Sequence, residues 1–193
     1  MALVDRVQKI LTQPAAEWPV IAMEPATVGG IYTGYIIPLA VIPAVAGLIG
    51  RFFVVHNLVF NLVSAVLGFV IYLVSPFIVG FIAAALAPSF GGANDQLQGL
   101  KWAAYSSTAG CVAGIFLVIP IVGSFIALLG ALYGLYLFWL GTVPVMRVPQ
   151  EKAVGYAVVV IVIDIVVSFV LFGIVGAISA MAIIGGAVTT GIH

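Results

Sequence analysis

Long apolar blocks and short polar breaks alternate along most of this chain, but its first stretch follows another pattern. At about 100° per residue, Leu3, Val4, Val7, Ile10 and Leu11 share one arc, and Asp5, Arg6, Gln8, Lys9 and Thr12 fill the rest. This is an amphipathic helix. Thr12-Gln13-Pro14 ends it, since proline disfavours helical geometry in the residue before it. A helix of this kind ahead of apolar blocks is expected to lie flat on the cytoplasmic leaflet. The competing arrangement packs it against the blocks or against a partner.

A helix rising about 1.5 Å per residue needs about 20 apolar residues to cross a hydrocarbon layer about 30 Å thick. Residues 31–50 and 62–87 meet that requirement, with Pro38, Pro43 and Pro76 as interruptions. The block 102–143 is too long for one crossing, and Ile119-Pro120-Ile121-Val122-Gly123 supplies a tight break. The remaining spans are therefore 102–119, 121–143 and 153–178. The apolar tail runs on to Val188, so it must tilt, protrude or fold back after Gly176. The expected fold class is all-α, a five-helix transmembrane bundle (31–193) behind an interfacial leader (1–30). The first long apolar run starts near Ile31, after a charged leader, so the first span itself is expected to direct insertion.

Composition fixes the solvent. Of 193 residues, 64% are hydrophobic and 6% charged, against about 25% charged in an ordinary soluble domain. Too few charges remain to solvate a globule in water. The net charge is zero, so no basic field attracts nucleic acid. Cys111 is the only cysteine, and His56 and His193 stand far apart, so no metal or other cofactor is expected. Arg6, Lys9, Lys101, Arg147 and Lys152 fall on one side of the five-span map and Arg51 alone on the other. By the positive-inside rule the N-terminus is cytoplasmic and the C-terminus outside.

Two patterns inside the blocks invite a functional reading. Ser106, Gly110 and Gly114 recur every fourth residue, as do Gly130 and Gly134. Small residues at that spacing let helices approach closely, predicting a tight antiparallel pair; the other reading is a glycine-lined solute path. Asp164 stands alone within Val160-Ile161-Val162-Ile163-Asp164-Ile165-Val166-Val167-Ser168. An acid at mid-membrane costs about 2.5–3.5 kcal/mol, so it is expected to face the bundle, protonated and hydrogen-bonded. Ser168 lies one turn on, and Tyr133, Tyr136, Ser106 and Ser107 are the expected partners. Such a group is either a satisfied interhelical contact or a proton- or cation-linked site. No GxSxG, HExxH, GxxxxGK[ST] or GxGxxG element occurs, and titratable groups are scarce, so enzyme is the least favoured class.

Several segments together carry a family resemblance. They are Pro14-Ala15-Ala16-Glu17-Trp18-Pro19-Val20-Ile21, Ile37-Pro38-Leu39-Ala40, Leu86-Ala87-Pro88-Ser89-Phe90-Gly91-Gly92 and Leu100-Lys101-Trp102-Ala103-Ala104-Tyr105-Ser106. Leu132-Tyr133-Gly134-Leu135-Tyr136-Leu137, Gly141-Thr142-Val143-Pro144-Val145-Met146 and Val148-Pro149-Gln150-Glu151-Lys152-Ala153 complete them. In order and spacing the chain resembles the Yip1-domain membrane proteins, specifically their short prokaryotic members. That resemblance implies five spans, a cytoplasmic N-terminus and residence in a prokaryotic plasma membrane. Eukaryotic members are associated with vesicle trafficking and Rab-type GTPases, but carry a longer soluble N-terminal region than this leader. Two positions depart from the pattern: Ala109 replaces an expected proline, and Asp164 an apolar residue. A non-enzymatic membrane organiser or scaffold is the leading expectation, with lipids, a membrane or cytoplasmic protein, or a second copy as partners. The rival is a small carrier or channel for an ion, solute or lipid, linked to Asp164.

Overall fold

The computed structural model describes residues 2–190, with side chains through Met181. It is 88% helical, without strands among the described residues. The leader folds as two helices, α1 (Leu3–Thr12) and α2 (Pro14–Met23), with Gln13 between them in a non-helical conformation. Then come α3 (Val28–Ile31), a π turn (Tyr32–Ile36) and α4 (Ile37–Phe52), which together make one continuous helix. The π turn has a local cause. Pro38 donates no hydrogen bond and its ring crowds the carbonyl of Gly34, so the backbone widens just ahead of it. The helices continue through Pro43 and Pro76.

The next long helix is α5 (Leu58–Leu86), opened by the Asn57 side chain accepting from the Phe60 amide at 2.9 Å. A 3-10 turn and a short loop lead to α6 (Gln96–Ser106), whose N-cap Asp95 accepts from the Leu97 and Gln98 amides. A single bend separates it from α7 (Thr108–Ala113), and a 3-10 turn (Gly114–Val118) follows. Ile119 is extended and Pro120 opens α8 (Pro120–Met146), the break expected from the sequence. The last helix is α9 (Gln150–Thr190).

Among the described residues, four helices are long and apolar enough to span a bilayer: Val28–Phe52, Leu58–Phe90, Pro120–Met146 and Gln150–Met181. The expected span at 102–119 is not among them, because its helix is broken. Ser107 Oγ donates to the Ala104 carbonyl at 2.8 Å and Thr108 Oγ1 to that of Tyr105 at 2.6 Å. Both bonds compete with the helix ladder, which explains a break without the family's proline at the next position. The broken segment nevertheless runs the length of the bundle. Gly99 meets Gly80 near the Leu86 end of α5, Gly114 meets Pro43, and Leu117 meets Gly50 at the far end of α4.

The tail does not fold back within the described residues. Its 41-residue helix is unbroken to Thr190, about 60 Å at 1.5 Å per residue. It leans on α5 and α8 over its first half, where Tyr156 donates to the Ala83 carbonyl at 2.7 Å and Val160 is buried. Further on, Ser64 and Ser179 share a hydrogen bond of 2.9 Å, but most side chains on this half face outward.

Candidate functional site

Placement of the leader decides where the polar chemistry lies. Most of its apolar face is spent on protein, with Val4 left exposed. Ile10 is fully buried, while Leu3 and Val7 pack against Tyr35, Leu39 and Cys111. The Leu11 carbonyl accepts from Tyr133 Oη at 2.8 Å. Tyr133 stands about 13 residues, roughly 20 Å along the axis, inside the Met146 end of α8. This is the packed arrangement, the second of the two weighed for the leader. Arg6, on the nominally polar face, is turned inward as well, over the Tyr105 ring of α6.

Arg6 is 4% exposed. Its guanidinium bonds the carboxylates of Glu17 and Glu24 and lies over the Tyr105 ring, 5.8 Å from the centroid. A buried cation is tolerable only when paired and hydrogen-bonded, and the α1–α2 hairpin supplies both acids. Lys101, 2% exposed, reaches the same place from α6. Its Nζ donates to the carbonyls of Ile21 at 3.0 Å and Glu24 at 2.5 Å, so it ties off the C-terminal end of α2.

Beneath this cluster lies an aromatic floor. Trp18 is fully buried and sits against Gly141, where a side chain would crowd both Trp18 and Trp102. Trp102 Nε1 donates to the Phe138 carbonyl at 2.7 Å, and its ring stacks on Tyr156 with centroids 5.4 Å apart. Two cavities flank the Glu24-Pro25-Ala26 strap. One, of about 480 Å³, is lined by Arg6, Glu24, Tyr35, Lys101 and Tyr105 among others. The other, of about 490 Å³, has Glu24, Gln98, Lys101 and Arg147 in its wall. The connecting loops close the same end, with the Ala93 amide donating to the Met146 carbonyl at 3.2 Å.

The residues singled out from sequence are not gathered in this way. Asp164 and Ser168 are partly buried on α9, and Asp164 forms no hydrogen bond among the described residues. Its four expected partners are engaged elsewhere or isolated. Tyr133 serves Leu11, Tyr136 is exposed beside Tyr133 and Trp139, Ser107 bonds Ala104, and the buried Ser106 Oγ has no partner. The small residues divide as well. A Cβ on Gly130 would overlap that of Ala113, and one on Gly134 would stand 3.1 Å from the Ser106 carbonyl oxygen. These contacts make α7 and α8 a close pair, whereas Gly114 faces Pro43 and Gly110 has open space.

The charged cluster escaped the sequence reading because its members are scattered: Arg6, Glu17, Glu24 and Lys101 share no local motif. A signal existed in Thr12-Gln13-Pro14, a helix stop that folds the second half of the leader back on the first. In comparisons with known proteins, residues 9–172 match the Yip1 domain. No curated protein and no solved structure gives a match.

Proposed function

We propose that this chain, which belongs to the Yip1-domain family, acts as a multi-pass membrane scaffold presenting a preformed cytoplasmic surface to a protein partner. The observation carrying this reading is the pinning of the leader: Arg6 to Glu17 and Glu24, and Lys101 to the end of α2. A loose amphipathic helix would present a different surface in every conformer. A pinned one, with the 87–95 and 146–150 connections closed against each other, presents one.

In this reading the pinned end is cytoplasmic, in a prokaryotic plasma membrane, and the broken 96–118 segment makes the fifth crossing. Support comes from Arg6, Lys101 and Arg147 converging on the strap cavities, while Arg51 sits at the other end beside Gly47. The partner is a membrane or cytoplasmic protein, or a second copy. The carrier reading has weaker footing, because Asp164 forms no hydrogen bond among the described residues and Tyr133 and Ser107 bond other groups.

Photo-cross-linkers at Met23 and Glu151, both exposed, test the proposal in native membranes. Discrete protein adducts are expected from both positions, and they should disappear when Arg6→Met and Glu17→Gln together unpin the leader. Adducts to lipid alone, or protein adducts indifferent to the double substitution, would refute the scaffold.

A further inference from the structure

The cavity of about 490 Å³ beside the strap is bounded by Met23 and Glu24 of the leader, Gln98 and Lys101 of α6, and Pro144 and Arg147 at the end of α8. Its volume falls in the range of small-molecule sites, about 300–1,000 Å³. The wall carries unspent groups of both kinds. Lys101 has three N–H donors, two of them used on the Ile21 and Glu24 carbonyls, which leaves one. Arg147 forms no ion pair among the described residues. Its side chain is exposed, and its backbone takes the αL conformation, φ 55°, that caps α8.

The acceptors are equally specific. Gln98 spends its Nε2 on the Ala22 carbonyl at 2.9 Å, which fixes the amide plane. Its Oε1 is then buried without a donor, a condition native proteins seldom leave unanswered. Glu24 gives one carboxylate oxygen to Arg6, and the other has no hydrogen bond among the described residues. The cavity wall therefore carries cationic donors together with a carboxylate oxygen and a buried amide oxygen.

We infer that this cavity binds a phosphate ester bearing a primary ammonium group, phosphoethanolamine chemistry, with the phosphate toward Arg147 and Lys101 and the ammonium toward Glu24 and Gln98. Two headgroup classes are disfavoured by the same inventory. A trimethylammonium group has no N–H for Gln98 Oε1, and a glycerol phosphate has no cation for Glu24. The source is a lipid headgroup or a free phosphoethanolamine, and the chemistry is shared. The inference does not rest on the scaffold reading, because it concerns a small ligand whatever protein partner is present.

Binding of short-chain phosphatidylethanolamine, phosphatidylcholine, phosphatidylglycerol and free phosphoethanolamine to the purified full chain provides the test. The ethanolamine lipid should bind about ten- to hundredfold tighter than the choline lipid, the range of one charge-assisted hydrogen bond. Arg147→Asn, which tolerates the αL backbone, should weaken ethanolamine lipid about tenfold. Gln98→Leu should bring it down to the choline value, with both variants melting close to the parent. Free phosphoethanolamine binding as tightly as the lipid upholds the chemistry with a soluble source; much weaker binding upholds it with a lipid source. Equal ethanolamine and choline affinities, or a preference for phosphatidylglycerol, would overturn the inference.

Discussion

Arg6 and Phe169 mark two opposite regimes in one molecule. Arg6 is charged, 4% exposed and held by two carboxylates, whereas Phe169 is apolar and 83% exposed midway along α9. In water this distribution would be inverted. In a bilayer it is expected, since hydrocarbon solvates Phe169 as well as a protein core would, and burying it gains little. Unique structure must then come from contacts that lipid cannot imitate: charge pairs, hydrogen bonds to buried carbonyls and backbone-to-backbone approach. The charge pairs and most side-chain bonds to buried carbonyls are concentrated at the leader end, whereas close backbone approach also occurs at the far end, where Gly50 meets Leu117. On the far half of α9 the Ser64–Ser179 bond is the one hydrogen bond among the described side chains.

The comparison is broken most severely by removing a charge from the pinned end. Arg6→Met leaves Glu17 buried without its cation and should destabilise the fold by about 3–5 kcal/mol. Thermal melting in detergent would register this, and adding Glu17→Gln should recover part of the loss. Close backbone approach comes next. A Cβ on Gly80 would stand 2.7 Å from the backbone of Gly99, so Gly80→Ala should cost about 1–3 kcal/mol. Gly173→Ala and Gly176→Ala, where nothing lies within 4 Å, should change melting by less than about 0.5 kcal/mol in either direction.

Smaller effects sharpen the picture. Trp102→Phe removes the donor to the Phe138 carbonyl while keeping an aromatic ring, with an expected loss of about 1–2 kcal/mol in the same melts. Asp164→Asn should be the mildest change, within about 0.5 kcal/mol, and should leave ion leak through reconstituted liposomes at the parent level. A leak abolished by that substitution would return Asp164 to the centre of the problem.

Legibility in the sequence followed the same division. Apolar block lengths placed four helices long enough to cross a membrane, and Ile119-Pro120 placed the break before α8. The third expected span was legible as an apolar block but not as a broken one, because the Ser107 and Thr108 back-bonds depend on side-chain rotamers. Asp164 drew notice as the one charge in a hydrocarbon run, yet a single residue carries no information about what lies across the interface.

The sequence by itself determined the solvent, the helical class and the ends of most helices, since each depends on residues near one another in the chain. Only the tertiary structure decided that the leader packs against the bundle. That choice rests on Arg6 meeting Glu17 and Glu24, and on Lys101 reaching Ile21 across 80 positions of sequence. Burying a charge is favourable only when every partner arrives together, and that simultaneity is a property of packed geometry, beyond the reach of any local pattern.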